Sequence, residues 1–293
     1  MPYSRATAIG LTAVFLWSTI VGLVRSVTEA LGAVGGAAMV YTLSSVILLI
    51  AVGIPKLSAF PRRYLIWGGL LFAAYEMCLS LSIGFADSGT QAIEVSMVNY
   101  LWPSMTLLLT VITSKQTLRP LIFVGMTVCL IGVSKVLGGE NGLSLHHMAV
   151  NIGSNPLSYG LAFAGAIIWS IYCVLTKKIA KGCNGITLFF ILTAAALWLQ
   201  FAFTENQAFN FTPQLLIELS LVSCAMGLGY AAWNTGILYG NVTVLATASY
   251  FTPVLSAFFA AQLLGENLDI SFWLGTLLVS AGSLMCWWAT RTH

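Results

Sequence analysis

The chain contains ten apolar runs, and each is long enough to cross a lipid bilayer as a helix. They cover residues 7–27, 35–54, 64–85, 92–113, 120–138, 157–177, 185–204, 217–239, 243–264 and 272–290. Only 7% of the residues are charged, whereas soluble domains carry roughly 25%. A water-soluble surface cannot be built from this composition. The pattern therefore predicts an all-α integral membrane protein with ten transmembrane helices and short loops.

Basic side chains sort to one side of this predicted membrane when the N-terminus is placed in the cytoplasm. Ten of the twelve then face the cytoplasm, namely Arg5, Lys56, Arg62, Arg63, Lys115, Arg119, Lys177, Lys178, Lys181 and Arg291. The exceptions are Arg25 and Lys135. The opposite side receives Glu29, Asp87, Glu140, Glu205, Glu266 and Asp269. A shift by one span would scramble this sorting, so we expect both termini in the cytoplasm.

The two halves of the chain repeat each other at an offset of 150 to 152 residues. The matching positions are Trp17-Ser18 with Trp169-Ser170, Tyr100 and Pro103 with Tyr250 and Pro253, and Gly125 and Gly132 with Gly275 and Gly282. Because each copy has five spans, an odd number, the second copy enters the membrane upside down. We expect two inverted five-helix repeats, 1–139 and 156–293, joined by an external loop, 140–155. Inverted repeats are typical of secondary transporters.

The fourth run combines polar side chains with a proline. Ser96, Asn99, Pro103 and Thr106 recur at helical spacing and share one face. Proline has no N–H, so the carbonyl of Asn99 loses its helical donor. Such a carbonyl is tolerated only inside protein or beside a water-filled cavity. The ninth run repeats the pattern around Pro253, which predicts two kinked helices lining one cavity. The alternative is ordinary helix packing through small polar residues.

Glu76 is predicted near the centre of the third span, where an ionisable group is costly and a functional candidate. It could accept a substrate ammonium or a proton, or it could form a structural pair with Lys135 at similar depth. The sequence leaves these roles open. Arg25 and Lys177 lie near span ends, and we expect both to snorkel to the membrane interface.

Aromatic side chains are frequent at mid-depth, away from the interfacial belts where tryptophan usually concentrates. The group comprises Trp17, Tyr75, Trp102, Trp169, Tyr172, Tyr230 and Trp233. Each alone is compatible with packing. Together they predict an aromatic cavity suited to flat ligands with a polar or cationic end. Asn234 directly follows Trp233, as Glu76 directly follows Tyr75. This match makes Asn234 a further candidate for the lining of the cavity.

Signatures of catalysis and metal binding are missing from the sequence. His146 and His147 fall in the predicted external loop, and the six cysteines show no metal spacing. There is no zinc-protease, hydrolase or P-loop motif. We therefore expect no enzyme activity, metal, cofactor, direct ATP coupling or nucleic-acid partner. The first span has no cleavage signal after it and is expected to be retained.

Several strings resemble the drug/metabolite transporter superfamily with its EamA-type repeats. They are Leu16-Trp17-Ser18, Ile168-Trp169-Ser170, the Pro103 and Pro253 spans, Gly35-Gly36-Ala37-Ala38, Tyr75-Glu76, Asn184-Gly185-Ile186-Thr187, Tyr230-Ala231-Ala232-Trp233-Asn234 and Gly240-Asn241-Val242-Thr243. The run from Gln91 to Pro103 is similar too. The resemblance covers nearly the whole chain. It implies a basket of ten helices in the bacterial inner membrane that exports aromatic and other neutral amino acids.

The predicted substrate site draws on both repeats. It comprises Trp17, Tyr75, Glu76, Asn99, Tyr100, Trp102, Pro103, Trp169, Tyr172, Asn234 and Tyr250. We expect alternating access by rocking of the repeats, with small-molecule substrate and lipid as partners and no obligatory protein partner. The alternative is efflux of cationic aromatic drugs such as paraquat, or of another small metabolite. Whether export is proton-coupled or facilitative is open.

Overall fold

The computed structural model describes residues 2–114, 119–139, 143–203 and 209–290. Within these ranges the regular structure is helical, without a strand. Lys115, Glu140, Glu205 and Arg291, which entered the predicted orientation, lie outside the described residues.

Each predicted apolar run falls on helical structure. The α-helices of the described residues are α1 (Tyr3–Ser18), α2 (Ile20–Leu31), α3 (Ala33–Ala51), α4 (Gly69–Gly84), α5 (Gly89–Asn99), α6 (Trp102–Ser114), α7 (Pro120–Leu137), α8 (Leu145–Ser154), α9 (Pro156–Ile179), α10 (Ile186–Phe201), α11 (Pro213–Tyr239), α12 (Val242–Ser249), α13 (Thr252–Leu264) and α14 (Ile270–Thr290). A π-helical turn, Tyr64–Gly68, leads into α4.

Seven helical segments of the described chain are long and apolar enough to cross a membrane, or eight when α1 and α2 are counted as one bent span. The bend between α1 and α2 is 42°. The apolar helices α10 and α13 are shorter, with 16 and 13 residues. These lengths support a multi-pass membrane protein, and the count of ten spans stays a prediction.

Two spans are broken immediately before a proline. In the first, α5 ends at Asn99 and α6 begins at Trp102. In the second, α12 ends at Ser249 and α13 begins at Thr252. Pro103 and Pro253 follow these breaks because proline lacks the N–H that a continuous helix requires and clashes with the preceding turn.

Helices α7 and α14 cross in backbone contact through four glycines. A Cβ atom on Gly125 would lie 2.7 Å from the carbonyl oxygen of Gly282, and one on Gly132 would lie 2.6 Å from that of Gly275. The contact is antiparallel. Adding 150 to the residue numbers turns Gly125 into Gly275 and Gly132 into Gly282. Each glycine contact is therefore the repeat counterpart of the other, as a two-fold relationship between α7 and α14 requires.

The two ends of the bundle carry opposite charge. At one end the Cys183 thiol donates to the carbonyl of Ala59 at 3.5 Å, and we call this the basic end. It carries Lys56, Arg62, Arg63, Lys177, Lys178 and Lys181. At the other, the acidic end, the hydroxyl of Thr90 donates to Glu266 at 2.6 Å. Asp87 and Asp269 lie there too.

Arg25 does not snorkel, so that expectation was wrong. Its side chain is buried, and its guanidinium donates to the carbonyl of Ala86 at 2.6 Å. It also lies 3.6 Å from Glu29. Carbonyls beyond the end of α4 attract the guanidinium into the protein, because they have no helical donors. Lys177, its counterpart in the second half, is exposed.

Candidate functional site

A cavity of about 310 Å³ is lined by residues from both broken spans. Tyr100 and Pro103 contribute from the first break, and Tyr250 and Pro253 from the second. The volume is at the lower end of the range for small-molecule sites, roughly 300–1,000 Å³. Most of the wall is apolar or aromatic, with a few polar groups, which is the usual composition of a binding pocket.

One aromatic wall centres on Trp169 of α9. Its ring lies 4.4 Å from that of Tyr75 at 30° between planes, and Trp102 meets it edge-on at 6.2 Å. Tyr172 stacks on Trp169 at 4.8 Å and does not itself line the cavity. Offset and edge-on ring pairs of this kind hold aromatic side chains in fixed orientations.

A second aromatic wall centres on Trp17 of α1. Its ring lies 5.1 Å from the rings of both Tyr230 and Trp233 on α11. A Cβ atom on Gly229 would lie 2.8 Å from the Trp17 indole nitrogen, so glycine at this position lets the indole approach α11. Each half of the chain thus provides a tryptophan that packs on a helix of the other half.

Glu76 is held by two tyrosine hydroxyls. Tyr41 of α3 donates to Oε2 at 2.5 Å, and Tyr230 of α11 donates to Oε1. Ser80 donates to the hydroxyl of Tyr41 at 3.0 Å. The pair with Lys135, one of the alternatives that the sequence left open, is absent, since in the described part of the chain no basic nitrogen lies within 4.0 Å of this carboxylate. The tyrosines supply donors from neighbouring helices in its place.

Asn99 links the first broken span to α9. Its Nδ2 donates to the carbonyl of Ala162 at 3.2 Å, and its Oδ1 accepts from the hydroxyl of Tyr75 at 3.5 Å. A Cβ atom on Gly165 would lie 3.0 Å from the same nitrogen. Because an amide nitrogen carries two N–H groups, the second N–H of Asn99 has no partner among the described contacts.

The structure brings nine of the eleven predicted site residues to the cavity wall. They are Trp17, Tyr75, Glu76, Asn99, Tyr100, Trp102, Pro103, Trp169 and Tyr250. Tyr172 lies behind Trp169, and Asn234 is half-buried on α11 outside the wall. Trp233, the neighbour of Asn234, lines the cavity.

Two polar contacts near the site were not predicted. Tyr41 was missed because a tyrosine in an apolar run is unremarkable, although a buried acid requires donors from neighbouring helices. Glu94 of α5 was missed because it stands close to the end of its run. It is 8% exposed and accepts from the hydroxyl of Tyr159 on α9. Nearby, Asn155, the residue before α9, donates to the side-chain oxygen of Gln91 on α5 at 2.9 Å.

Metal coordination is not indicated by the side chains that the structure describes. Among them no group of three or more His, Cys, Asp or Glu residues could hold a metal ion. The described wall of the cavity presents aromatic faces, hydroxyls, an amide and a carboxylate.

The known proteins that this sequence resembles include membrane transporters. The sequence model of the EamA-like transporter family matches residues 156–288. The chain is 52% identical over 291 residues to the aromatic amino acid exporter YddG of Salmonella typhimurium (strain 14028s / SGSC 2262), and 99% of each chain is covered. It belongs to the EamA-like transporter family. It is a multi-pass protein of the bacterial inner membrane.

Two further comparisons extend over the whole length of this EamA-like transporter. The exporter YddG of Escherichia coli (strain K12) is 51% identical over 291 residues, with 99% of each chain covered. A solved structure titled "Crystal structure of protein" superimposes with a TM-score of 0.63 at 20% identity, covering 97% of this chain and 96% of that one. At that identity the likeness extends to the fold alone. The named relatives are transporters, not enzymes.

Proposed function

We propose that this protein exports aromatic and other neutral amino acids from the cytoplasm through the described cavity. The observation that carries the proposal is one cavity that has aromatic walls from both halves and whose described lining includes one acid, the buried Glu76. An aromatic amino acid offers a ring for the walls and an ammonium for the acid. The names of the two YddG relatives support the same substrate class.

In the bound state the substrate ring stacks between the walls of Trp169 and Trp17. Tyr100 and Tyr250 approach from the two helix breaks. The ammonium is attracted by Glu76 and by the carbonyl of Asn99, which has no helical donor because residue 103 is proline. The remaining N–H of the Asn99 amide donates to the substrate carboxylate.

The proposed topology is ten spans in two inverted repeats, 1–139 and 156–293, with both termini in the cytoplasm and a basket-like arrangement. The reciprocal glycine contacts of α7 and α14 support it. So does the helix packing, because α1 packs on α11 as α9 packs on α4. The basic end would face the cytoplasm, as the positive-inside rule expects.

Alternating access is the proposed mechanism, and an asymmetry between the ends supports it. At the acidic end α5 packs against α13. Their counterparts under the repeat, α12 and α6, make no comparable contact among the described residues. The described state would therefore be closed towards the outside and open towards the cytoplasm. Rocking of the repeats would exchange the closed and open ends.

Proteoliposomes test the proposal directly. Vesicles loaded with labelled L-phenylalanine should release it faster with the purified protein than without it. Equal release would contradict the proposal. Repeating the assay with an imposed pH gradient distinguishes proton-coupled from facilitative export.

A second candidate is efflux of cationic aromatic drugs such as paraquat. The position of Glu76 between the aromatic walls also favours this function, because a carboxylate among aromatic rings attracts a flat organic cation. Labelled paraquat in the same vesicles separates the two. Release of paraquat without release of phenylalanine would favour the drug carrier.

A further inference from the structure

Glu76 belongs to the cavity wall, yet its side chain is 0% exposed. The reason is visible in its hydrogen bonds. The hydroxyls of Tyr41 and Tyr230 each occupy one oxygen of the carboxylate. A ligand that approaches from the cavity therefore cannot reach Glu76 until one of these hydroxyls moves aside.

The two tyrosines are not equally able to move. Tyr41 is 0% exposed and does not line the cavity. Its hydroxyl also accepts a hydrogen bond from Ser80, which is on the same helix as Glu76. Tyr41 thus holds the carboxylate from the side that faces away from the cavity.

Tyr230 stands on the cavity side. It lines the cavity, is half-buried, and comes from α11 in the other half of the chain. Its hydroxyl bonds only Glu76 among the contacts described for it. Its ring packs on Trp17 at 5.1 Å and on Phe190 at 5.2 Å. Because the phenol oxygen is fixed to the ring, the side chain has to turn as a whole to release Oε1, and the cavity beside it offers space for that turn.

We propose that Tyr230 is a displaceable lid over Glu76, and that the ammonium of the substrate replaces its hydroxyl at Oε1. Tyr41 keeps its bond to Oε2 throughout and acts as a positioning residue. The inference rests on the proposed function, because it assumes an amino acid in this cavity. Both donors bond the carboxylate, but only the ammonium adds the attraction between opposite charges, which is stronger at a buried site than in water, and this favours the exchange.

The lid gives the site a basis for selectivity. A ligand with an ammonium gains more than it displaces, whereas a neutral group gains nothing by removing Tyr230. Aromatic acids without an amine would leave the lid closed and bind without contact to Glu76. Tyr230 would therefore help to separate amino acids from the corresponding carboxylic acids.

Equilibrium binding to the purified full-length protein in detergent tests the lid. The ligands are L-phenylalanine, phenethylamine and 3-phenylpropionate, and the variants are Tyr230→Phe and Tyr41→Phe. Tyr230→Phe should strengthen binding of both amines about tenfold, equivalent to ~1.4 kcal/mol. It should not change binding of 3-phenylpropionate. The gain arises because the empty site then holds a buried acceptor without its donor.

Tyr41→Phe should have the opposite effect and weaken both amines, since the carboxylate loses its fixed orientation. The double variant Glu76→Gln with Tyr230→Phe should lose the gain for amines, which a purely structural effect of Tyr230 would not explain. Tyr239→Phe, on the exposed end of α11, is the control and should bind as the wild type does.

Two results would overturn the inference. If Tyr230→Phe weakens or leaves unchanged the binding of both amines, the lid is wrong, although wild-type binding and export of phenylalanine would still support the proposed function. If the wild-type protein binds no phenylalanine and exports none, the proposed function fails and the lid fails with it.

Discussion

The guanidinium of Arg25 donates a hydrogen bond to the backbone carbonyl of Ala86 across 2.6 Å. It also reaches the carbonyl of Gly84 at 3.5 Å. Residue 84 is the last of α4, where carbonyls have no partner within the helix. A buried cation on α2 thus completes the end of α4 and joins the first and third predicted spans.

Replacing Arg25 by Met should destabilise the protein, since it leaves buried carbonyls without a donor. We expect a loss of about 1–3 kcal/mol in the free energy of unfolding. Lys177→Met is the matched control, because Lys177 is the counterpart in the repeat and is exposed. Thermal unfolding in detergent measures both. Equal melting temperatures for the two variants would contradict the assigned role of Arg25.

Gly132→Ala should also destabilise the protein, through the crossing of α7 and α14. The added methyl would meet the backbone of Gly275 at 2.6 Å, and backbone cannot move aside as a flexible side chain can. Overpacking of this kind costs roughly 1–3 kcal/mol. Gly160→Ala in α9 is the control, since a Cβ atom there has no neighbour within 4 Å. A melting temperature of Gly132→Ala at or above that of Gly160→Ala would argue against the close crossing.

The contact of Glu94 with Tyr159 predicts that the variant Tyr159→Phe is less stable than the variant Glu94→Gln. Tyr159→Phe removes the donor and leaves a buried carboxylate oxygen without it, at a cost of about 1–3 kcal/mol. Glu94→Gln keeps an acceptor for the tyrosine hydroxyl and should cost less. Thermal unfolding of the two variants decides the order. A greater loss for Glu94→Gln would show that the negative charge, rather than the hydrogen bond, matters there.

Helix positions could be predicted from the sequence because they depend on local properties. Apolar length marks the spans, and Pro103 and Pro253 mark two of the breaks. The bend between α1 and α2 has no proline and was not predicted. There the hydroxyls of Ser18 and Thr19 donate to the carbonyls of Val14 and Leu16, a pattern that bends helices.

The candidate site was predicted unevenly, and for a physical reason. Mid-depth aromatic residues and the proline spans pointed to the lining residues, since depth can be counted along a helix. Counting depth does not tell which way a side chain faces around the bundle. A pair of Glu76 with Lys135 therefore stayed one of the open alternatives on depth alone, whereas the structure supplies Tyr41 and Tyr230.

Protein-dependent efflux of labelled L-phenylalanine from proteoliposomes, measured for matched tryptophan variants, tests the central claim most directly. Trp102 lines the cavity, whereas Trp67 is 53% exposed on the outer surface. We predict that Trp102→Ala and Glu76→Gln each slow efflux by about tenfold or more, a loss of at least ~1.4 kcal/mol, and that Trp67→Ala transports as the wild type does. Unchanged efflux in Trp102→Ala and Glu76→Gln would contradict the account.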